Sequence, residues 1–383
     1  MYQRILKLNL PRKQSAFLWG ARKTGKSTYL KNHFPHSVCY DLLHSDLYVR
    51  FSKHPNLFRQ KILTLTPEQL QYPIIVDEVQ RVPELLNEIH WLIENSEAYF
   101  ILCGSSARSL HRKGVNLLGG RAWRFNLYPL VYPEFERFNL LQILNQGTIP
   151  SHYDSPDYNA SLAAYVDDYL TQEIHAEGLV RHLPNFALFL DCIGLMNGQQ
   201  VNHTNIARDV GINVKTVREY FQILIDTLLG YYVYPYRKRK KRELITQMPK
   251  FYLFDVGVAN YIGRAIIPAL KGEYAGRSLE HLIFLELIAY RSYMKKRFDI
   301  HYWRTKTGLE VDFIVDGIPI EVKISETVHK SDIKGLHAFC EEHSPQKAYV
   351  ISLDPHPRQI DDHILILPCE EFLRRLWAGE IIG

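Results

Sequence analysis

Residues Gly20-Ala21-Arg22-Lys23-Thr24-Gly25-Lys26-Ser27 hold the spacing G-x-x-x-x-G-K-[ST]. Few eight-residue patterns restrict a backbone as much. Gly20 and Gly25 let the main chain bend so that successive N–H groups face one point, which suits a chain of phosphates. There Lys26 would reach the β- and γ-phosphates, and the Ser27 hydroxyl would ligate Mg2+. A helix starting near Gly25 and continuing through Thr28 would add the positive end of its dipole. The pattern requires a buried strand before it and a helix after it. Ala16–Trp19 reads as the strand, and Thr28–Lys31 continues as the helix. A chance turn rich in Gly and Lys is the bland alternative, and the flanks disfavour it.

A chain of 383 residues is too long for one ordinary core, so two to four units are expected. Hydrophobic residues make up 46% and aromatic ones 12%, which excludes a disordered chain. The net charge is +5, yet Arg237-Lys238-Arg239-Lys240-Lys241-Arg242 places six positives in a row. The basic character is therefore local. Cys39, Cys103, Cys192, Cys340 and Cys369 form no C-x-x-C pair, and an odd count argues against a disulfide framework. Met1 to Arg12 lacks the apolar stretch of a signal peptide. The apolar run from Ile223 to Tyr234 is broken by Asp226 and is too short to span a bilayer. A cytoplasmic protein without membrane contact is the expectation.

A phosphate loop needs a second strand with an acid for the metal. Pro73-Ile74-Ile75-Val76-Asp77-Glu78 supplies it, about fifty residues on. Open α/β sheets bind ligands at the C-terminal edge, where both carboxylates should sit. Asp77 should hold Mg2+ directly or through its waters, and Glu78 should orient and polarise an attacking water. A third strand, Tyr99–Cys103, runs into Gly104-Ser105-Ser106. Ser105 or Ser106 could meet the γ-phosphate there, or the Gly-Ser pair could merely cap the next helix. Arg121, after Gly119-Gly120, is a candidate finger for transition-state charge, in cis or from a neighbouring subunit. A plain surface arginine is the competing reading.

The order of these pieces carries a resemblance. The phosphate loop, Val76-Asp77-Glu78-Val79-Gln80, Cys103-Gly104-Ser105-Ser106, then Gly119-Gly120-Arg121 and Leu127-Tyr128-Pro129-Leu130 with Glu134-Phe135, together resemble prokaryotic AAA-superfamily ATPases. These are the kind whose C-terminal region is a domain of unknown function. They are similar to archaeal ATPases and to nucleotide-switch signalling ATPases. The resemblance covers nearly the whole chain. It implies ATP and Mg2+ as cofactors, and a core with the sensor-bearing strand between the phosphate-loop strand and the Asp-Glu strand. It implies no pathway.

Residues 140–196 read as helices around Ser161–Glu177 and Leu183–Met196, without visible chemistry. From about 200 the pattern sharpens. Thr204 can cap a helix over Asn205–Asp209, Gly211 supplies a turn, and Asn213 can cap a second helix from Val214 that Gly230 ends. Val217, Phe221, Leu224, Ile225 and Leu228 share one face of it, with Lys215, Thr216 and Arg218 near its exposed start. This is the cadence of a helix-turn-helix. Tyr231–Tyr236 and Phe251–Phe254 would be wing strands, with the basic run on the loop between them. Lys215, Arg218, Arg237, Lys238, Arg239, Lys240, Lys241 and Arg242 are the candidate DNA contacts, chiefly to phosphates. A solvated charge run that meets acidic lipid or protein is the alternative.

Further on, Leu309–Val315 and Ile318–Lys323 alternate around Asp316-Gly317 as a tight hairpin. Asp312, Glu321 and Lys323 fall in the order Asp…Glu-x-Lys, with Glu321 and Lys323 on one face. This resembles restriction-endonuclease-like cores, in which two acids hold Mg2+ and a lysine positions or activates water. Glu280 matches the further acid of an upstream helix, with Glu286 as second choice. Cross-strand ion pairing in an ordinary hairpin explains the same residues. The expected architecture is α/β. An AAA-type ATP-binding domain (1–140) is followed by a helical lid or linker (141–198), a winged helix-turn-helix (199–265) and an endonuclease-like domain (266–383). An ATPase that binds DNA leads. A nucleotide-gated switch for protein partners and an ATP-licensed Mg2+ nuclease are the alternatives. A homo-oligomer is expected only if Arg121 works in trans.

Overall fold

The computed structural model describes residues 2–106, 118–170, 182–237 and 248–382, with the side chains of 168–170 left aside. The chain divides into two compact units. One comprises Arg4–Pro129 with Gln222–Leu229; the other comprises Met1–Gln3, Leu130–Phe221 and Gly230–Gly383.

In the first unit, five short strands form one parallel sheet: β1 (Ser15–Trp19), β2 (Cys39–Asp41), β3 (Ile74–Asp77), β4 (Phe100–Gly104) and β5 (Ala122–Asn126). Their order is β2-β3-β4-β1-β5. β4 thus lies between β1 and β3, the place the resemblance implies for a sensor-bearing strand. β1, β3 and β4 are buried along their whole lengths. This is why they read as unbroken apolar runs: a parallel sheet is covered on both faces. The core beneath them gathers Phe17, Phe51, Phe58, Ile74, Phe100 and Leu102.

The second unit carries an eight-stranded mixed sheet in the order β12-β13-β11-β10-β9-β8-β6-β7. Its strands are β6 (Gly230–Pro235), β7 (Lys250–Leu253), β8 (Ile300–Arg304), β9 (Glu310–Val315), β10 (Ile318–Val322), β11 (Ala348–Ser352), β12 (Arg358–Asp361) and β13 (Ile364–Pro368). β8, β9 and β10 form an antiparallel meander, and β11 joins β10 in parallel. The β9–β10 turn has positive φ at both Asp316 and Gly317, as a type I′ hairpin demands. The helix Gly272–Tyr293 precedes the meander, and Lys334–His343 makes the crossover to β11. The sheet runs across the expected boundary at residues 265 and 266, because β6 pairs with β8 at Tyr234–His301 and Pro235–Tyr302. Segments 199–265 and 266–383 therefore belong to one unit.

Local details depart from expectation in three places. The first helix of the expected helix-turn-helix spans His203–Val210, and its cap is Asn202, whose side chain accepts from the N–H groups of Thr204 and Asn205 at 3.0 and 3.2 Å. The helix thus begins two residues before the expected Asn205, and Asn202 satisfies its first free N–H groups. Asn213 caps the second helix as expected, accepting from the Thr216 N–H at 2.8 Å. That helix ends at Asp226, and Leu228 makes the left-handed turn at φ 60°. Gly230 does not end it but opens β6, where a Cβ would lie 2.2 Å from the Phe251 ring. Finally, Tyr158–Ala163 is α-helical, and Ala164–Leu170 continues as a π-helix; 171–181 lie outside the described residues.

Candidate nucleotide site and the C-terminal acid cluster

β1 ends at Trp19, and the loop turns there into the helix Lys26–His33. The two glycines serve different needs. A Cβ on Gly20 would stand 2.4 Å from the carbonyl oxygen of Leu127, so this position admits only glycine against the chain leaving β5. A Cβ on Gly25 would meet Arg4 Nη1 only at an ordinary 3.6 Å, but its φ of +91° is in the left-handed region that disfavours side chains. Lys26 is buried, and its Nζ donates to the carbonyls of Gly20 at 2.8 Å and Ala21 at 3.0 Å. The ammonium therefore lies folded across the loop it would share with a phosphate chain. Thr24 Oγ1 braces the bend by donating to Ala21 O at 2.9 Å. Arg22 is half-buried, while Lys23, Ser27 and Thr28 face solvent.

Ser27 Oγ donates to Asp77 Oδ2 at 2.6 Å, joining the loop to the end of β3. The donor set, one hydroxyl and one carboxylate, suits a hard divalent cation with most of its waters retained. Glu78 follows in the left-handed region, φ 55°, and is buried. A glutamate held there stores strain that its surroundings must offset. Gln80 Nε2 supplies part of that support. It donates to Glu78 Oε2 and, at 3.2 Å, to Ser105 Oγ. A Cβ on Gly104 would lie 2.3 Å from Gln80 Oε1, so the Gly-Ser sequence makes room for this amide. Of the two serines offered by the sequence, Ser105 is bonded into the Glu78 network through Gln80.

The structure also shows residues that the sequence did not mark. Arg4 forks across two segments: Nη1 donates to Thr24 O and Nη2 to Tyr128 O, each at 2.6 Å. Asp41 is the register partner of Asp77 on the adjacent strand. A cleft of about 580 Å3 opens beside Ser27 and Asp77, lined also by Lys31, Asp41 and His44. Arg121 is not brought to this site in its own chain. It precedes β5, whose Ala122 pairs with Ser15 while Asn126 pairs with Trp19. Five residues of strand at about 3.3 Å each place it roughly 17 Å from the loop edge. There its Nε donates to Glu94 Oε1.

In the second unit, Lys215 and Arg218 are exposed on the helix Val214–Asp226, and Arg237 is exposed after β6. Lys238, Arg239, Lys240, Lys241 and Arg242 lie outside the described residues. β6 and β7 pair antiparallel, as wing strands would.

Glu280, Asp312, Glu321 and Lys323 do converge. Lys323 Nζ lies 2.6 Å from Glu321 Oε1, and Asp312 Oδ2 accepts from the Val322 N–H at 2.8 Å. Burial pushes the Asp312 carboxyl well up, with the Glu321 and Glu280 charges adding to it. Lys250 and Tyr252, from β7, enter the same cluster. Lys250 Nζ stands 2.9 Å from Glu280 Oε1 and 2.6 Å from Glu310 Oε1, and the Tyr252 hydroxyl donates to Glu280 Oε1. Burial opposes the Lys250 charge, yet Glu280 and its neighbours outweigh it and hold the ammonium. Glu286, the second choice, goes elsewhere. It accepts from Tyr132 N at 2.8 Å and Trp377 Nε1 at 2.7 Å, and burial pushes its carboxyl up to about 8.

The first unit thus joins a phosphate loop to an Asp-Glu strand, with one strand interposed between them in the sheet. Residues 12–136 match the family described as an AAA domain. Residues 137–266 and 275–372 each match a domain of unknown function. No curated protein matches the chain. Among solved structures, it is similar to the Aeropyrum pernix Orc1 protein in complex with DNA, at 11% identity over 66% of this chain and 86% of that one, with a TM-score of 0.24. Among the described residues, no helix is long and apolar enough to cross a membrane.

Proposed function

We propose that the Arg4–Pro129 unit binds ATP with Mg2+ and hydrolyses it to ADP and phosphate. The observation that carries this is the 2.6 Å bond between Ser27 and Asp77, with Glu78, Gln80 and Ser105 beside it. The backbone from Gly20 to Gly25 would take the phosphates, and Lys26 would leave its carbonyl partners for the β/γ oxygens. Ser27 and Asp77 would hold Mg2+, which spreads the charge of the transferring phosphoryl group. Glu78 would orient the attacking water, and Ser105 would donate to a γ-phosphate oxygen. Arg121 would act only in a neighbouring copy's site, within a homo-oligomer, and otherwise it is a surface arginine.

We further propose that the second unit engages DNA. Lys215, Arg218 and Arg237 present charge near a β-hairpin, and the run through Arg242 adds to it. Such contacts grip phosphates without reading sequence. The deciding measurement is ATP turnover of the full chain with none, single-stranded, duplex or branched DNA, beside Lys26→Ala. Turnover abolished by Lys26→Ala and raised by DNA is expected. Turnover indifferent to Lys26 would remove the ATPase assignment, and turnover indifferent to every DNA would remove the second.

A further inference from the structure

The hairpin Asp…Glu-x-Lys pattern and the helix that precedes it call for a divalent ion between carboxylates. The residues present do not fit one. Each acid already has a partner inside the chain. Glu280 Oε1 is held by both Lys250 Nζ, at 2.9 Å, and the Tyr252 hydroxyl. Asp312 Oδ2 is taken by the Val322 amide, and Glu321 Oε1 by Lys323. Glu310 pairs with Lys250 through one oxygen and with Arg304, at 3.0 Å, through the other. Lys250 is only 4% exposed, and its Nζ also sits 5.5 Å from the centre of the Tyr302 ring. Nothing about that position suits a solvent-facing wing lysine. It is the position of a counter-ion. Among the described residues, no three His, Cys, Asp or Glu side chains converge to hold a metal. Glu321 Oε2, in a residue 5% exposed, is buried without a hydrogen-bond partner.

We infer that the ammonium of Lys250, paired with Glu280 and Glu310, is the resident cation of the acid cluster that also holds Asp312 and Glu321, and that it closes this core to a divalent ion. The core is then held by an internal cation delivered from β7. The same ion pairs tie the β6–β7 hairpin to the helix Gly272–Tyr293 and to β9. A buried lysine of this kind is costly to remove, because its departure strands two carboxylates. With the ammonium gone, Glu280, Asp312 and Glu321 would be free to close on a divalent ion, a ligand set they do not form as they stand.

The test is Mn2+ binding by titration calorimetry on the full chain, with the nucleotide site silenced by Ser27→Ala and Asp77→Asn. With Lys250 intact, binding should not change when Asp312→Asn is added. With Lys250→Gln, a saturable site should appear, weaken at least tenfold on adding Asp312→Asn, and raise the melting temperature in Mn2+. A Lys250-intact chain whose Mn2+ site is lost in Asp312→Asn overturns the inference. So does a folded Lys250→Gln chain that takes no Mn2+. If Lys250→Gln folds only when Mn2+ is supplied, the inference stands; if Mn2+ fails to restore folding, it falls. Because the nucleotide site is silent throughout, none of these outcomes touches the ATPase proposal.

Discussion

Gln80 offers the sharpest test of the nucleotide site. Its amide donates both to the carboxylate of Glu78 and to the hydroxyl of Ser105. Glu78 already sits at φ 55°, so its carboxylate depends on such contacts for its aim. Gln80→Met keeps the length of the side chain and removes both donors. A hydrogen bond to a charged group contributes about 1.5–3 kcal/mol. If that energy positions Glu78 in the transition state, its loss costs about one to two decades in rate. Lys26 and Ser27 are bonded to Gly20, Ala21 and Asp77, so nucleotide affinity should move less than about threefold, the signature of a positioning role. Single-turnover hydrolysis at saturating ATP and Mg2+ gives the rate, and calorimetry gives the affinity. Gly104→Ala should reproduce the defect without altering position 80, since its Cβ would press to within 2.3 Å of the Gln80 amide oxygen. The double variant should be no slower than the worse single one, because both break one linkage. A Gln80→Met chain that turns over within about twofold of the parent would refute the argument.

Arg4→Ala should loosen the phosphate loop, since it frees the carbonyls of Thr24 and Tyr128 from one guanidinium. A tenfold weaker ATP affinity, about 1.4 kcal/mol, is expected by calorimetry. Arg4→Lys should not restore it, because an ammonium lacks the fork that reaches both carbonyls. Glu286 predicts a pH effect in the other unit. Its folded carboxyl is raised from 4.5 to about 8, so the folded chain holds a proton that the unfolded chain releases. That contribution is complete below about pH 4.5 and is lost as pH rises towards 8, at a slope approaching about 1.4 kcal/mol per pH unit. Denaturation midpoints measured across this window should flatten in Glu286→Gln. A slope equal to the parent's would count against the burial argument.

What the sequence made legible was local. The strand, loop and helix around Gly20–Ser27 follow from three adjacent segments. The Asp-Glu strand follows because a fully covered strand writes its burial as an apolar run. Arg4, and the contacts of Gln80, stayed hidden for the opposite reason: their partners lie at Tyr128 and Ser105, and no spacing along the chain announces such pairs. Arg121 was left open by its neighbours. A Gly-Gly pair before an arginine suggests a flexible approach to phosphate. The register of β5 on β1 instead sets that arginine at the far edge, and register is decided by pairing the whole strand.

Lys250 was unread, yet a signal for it exists. It opens the run Lys250-Phe251-Tyr252-Leu253-Phe254, whose apolar residues do not alternate with polar ones. A wing strand with one face in water should alternate; a strand covered on both faces need not. β7 is buried at all four of its positions, so the lysine that begins it had to find carboxylates inside the fold. The same logic weighs the Asp…Glu-x-Lys hairpin. Acids at these positions state what charge must be answered, but not by what. A metal answers it in a core open to solvent ions. A buried ammonium answers it here, and it does so from a strand more than fifty residues upstream, beyond the reach of any motif drawn on the hairpin alone.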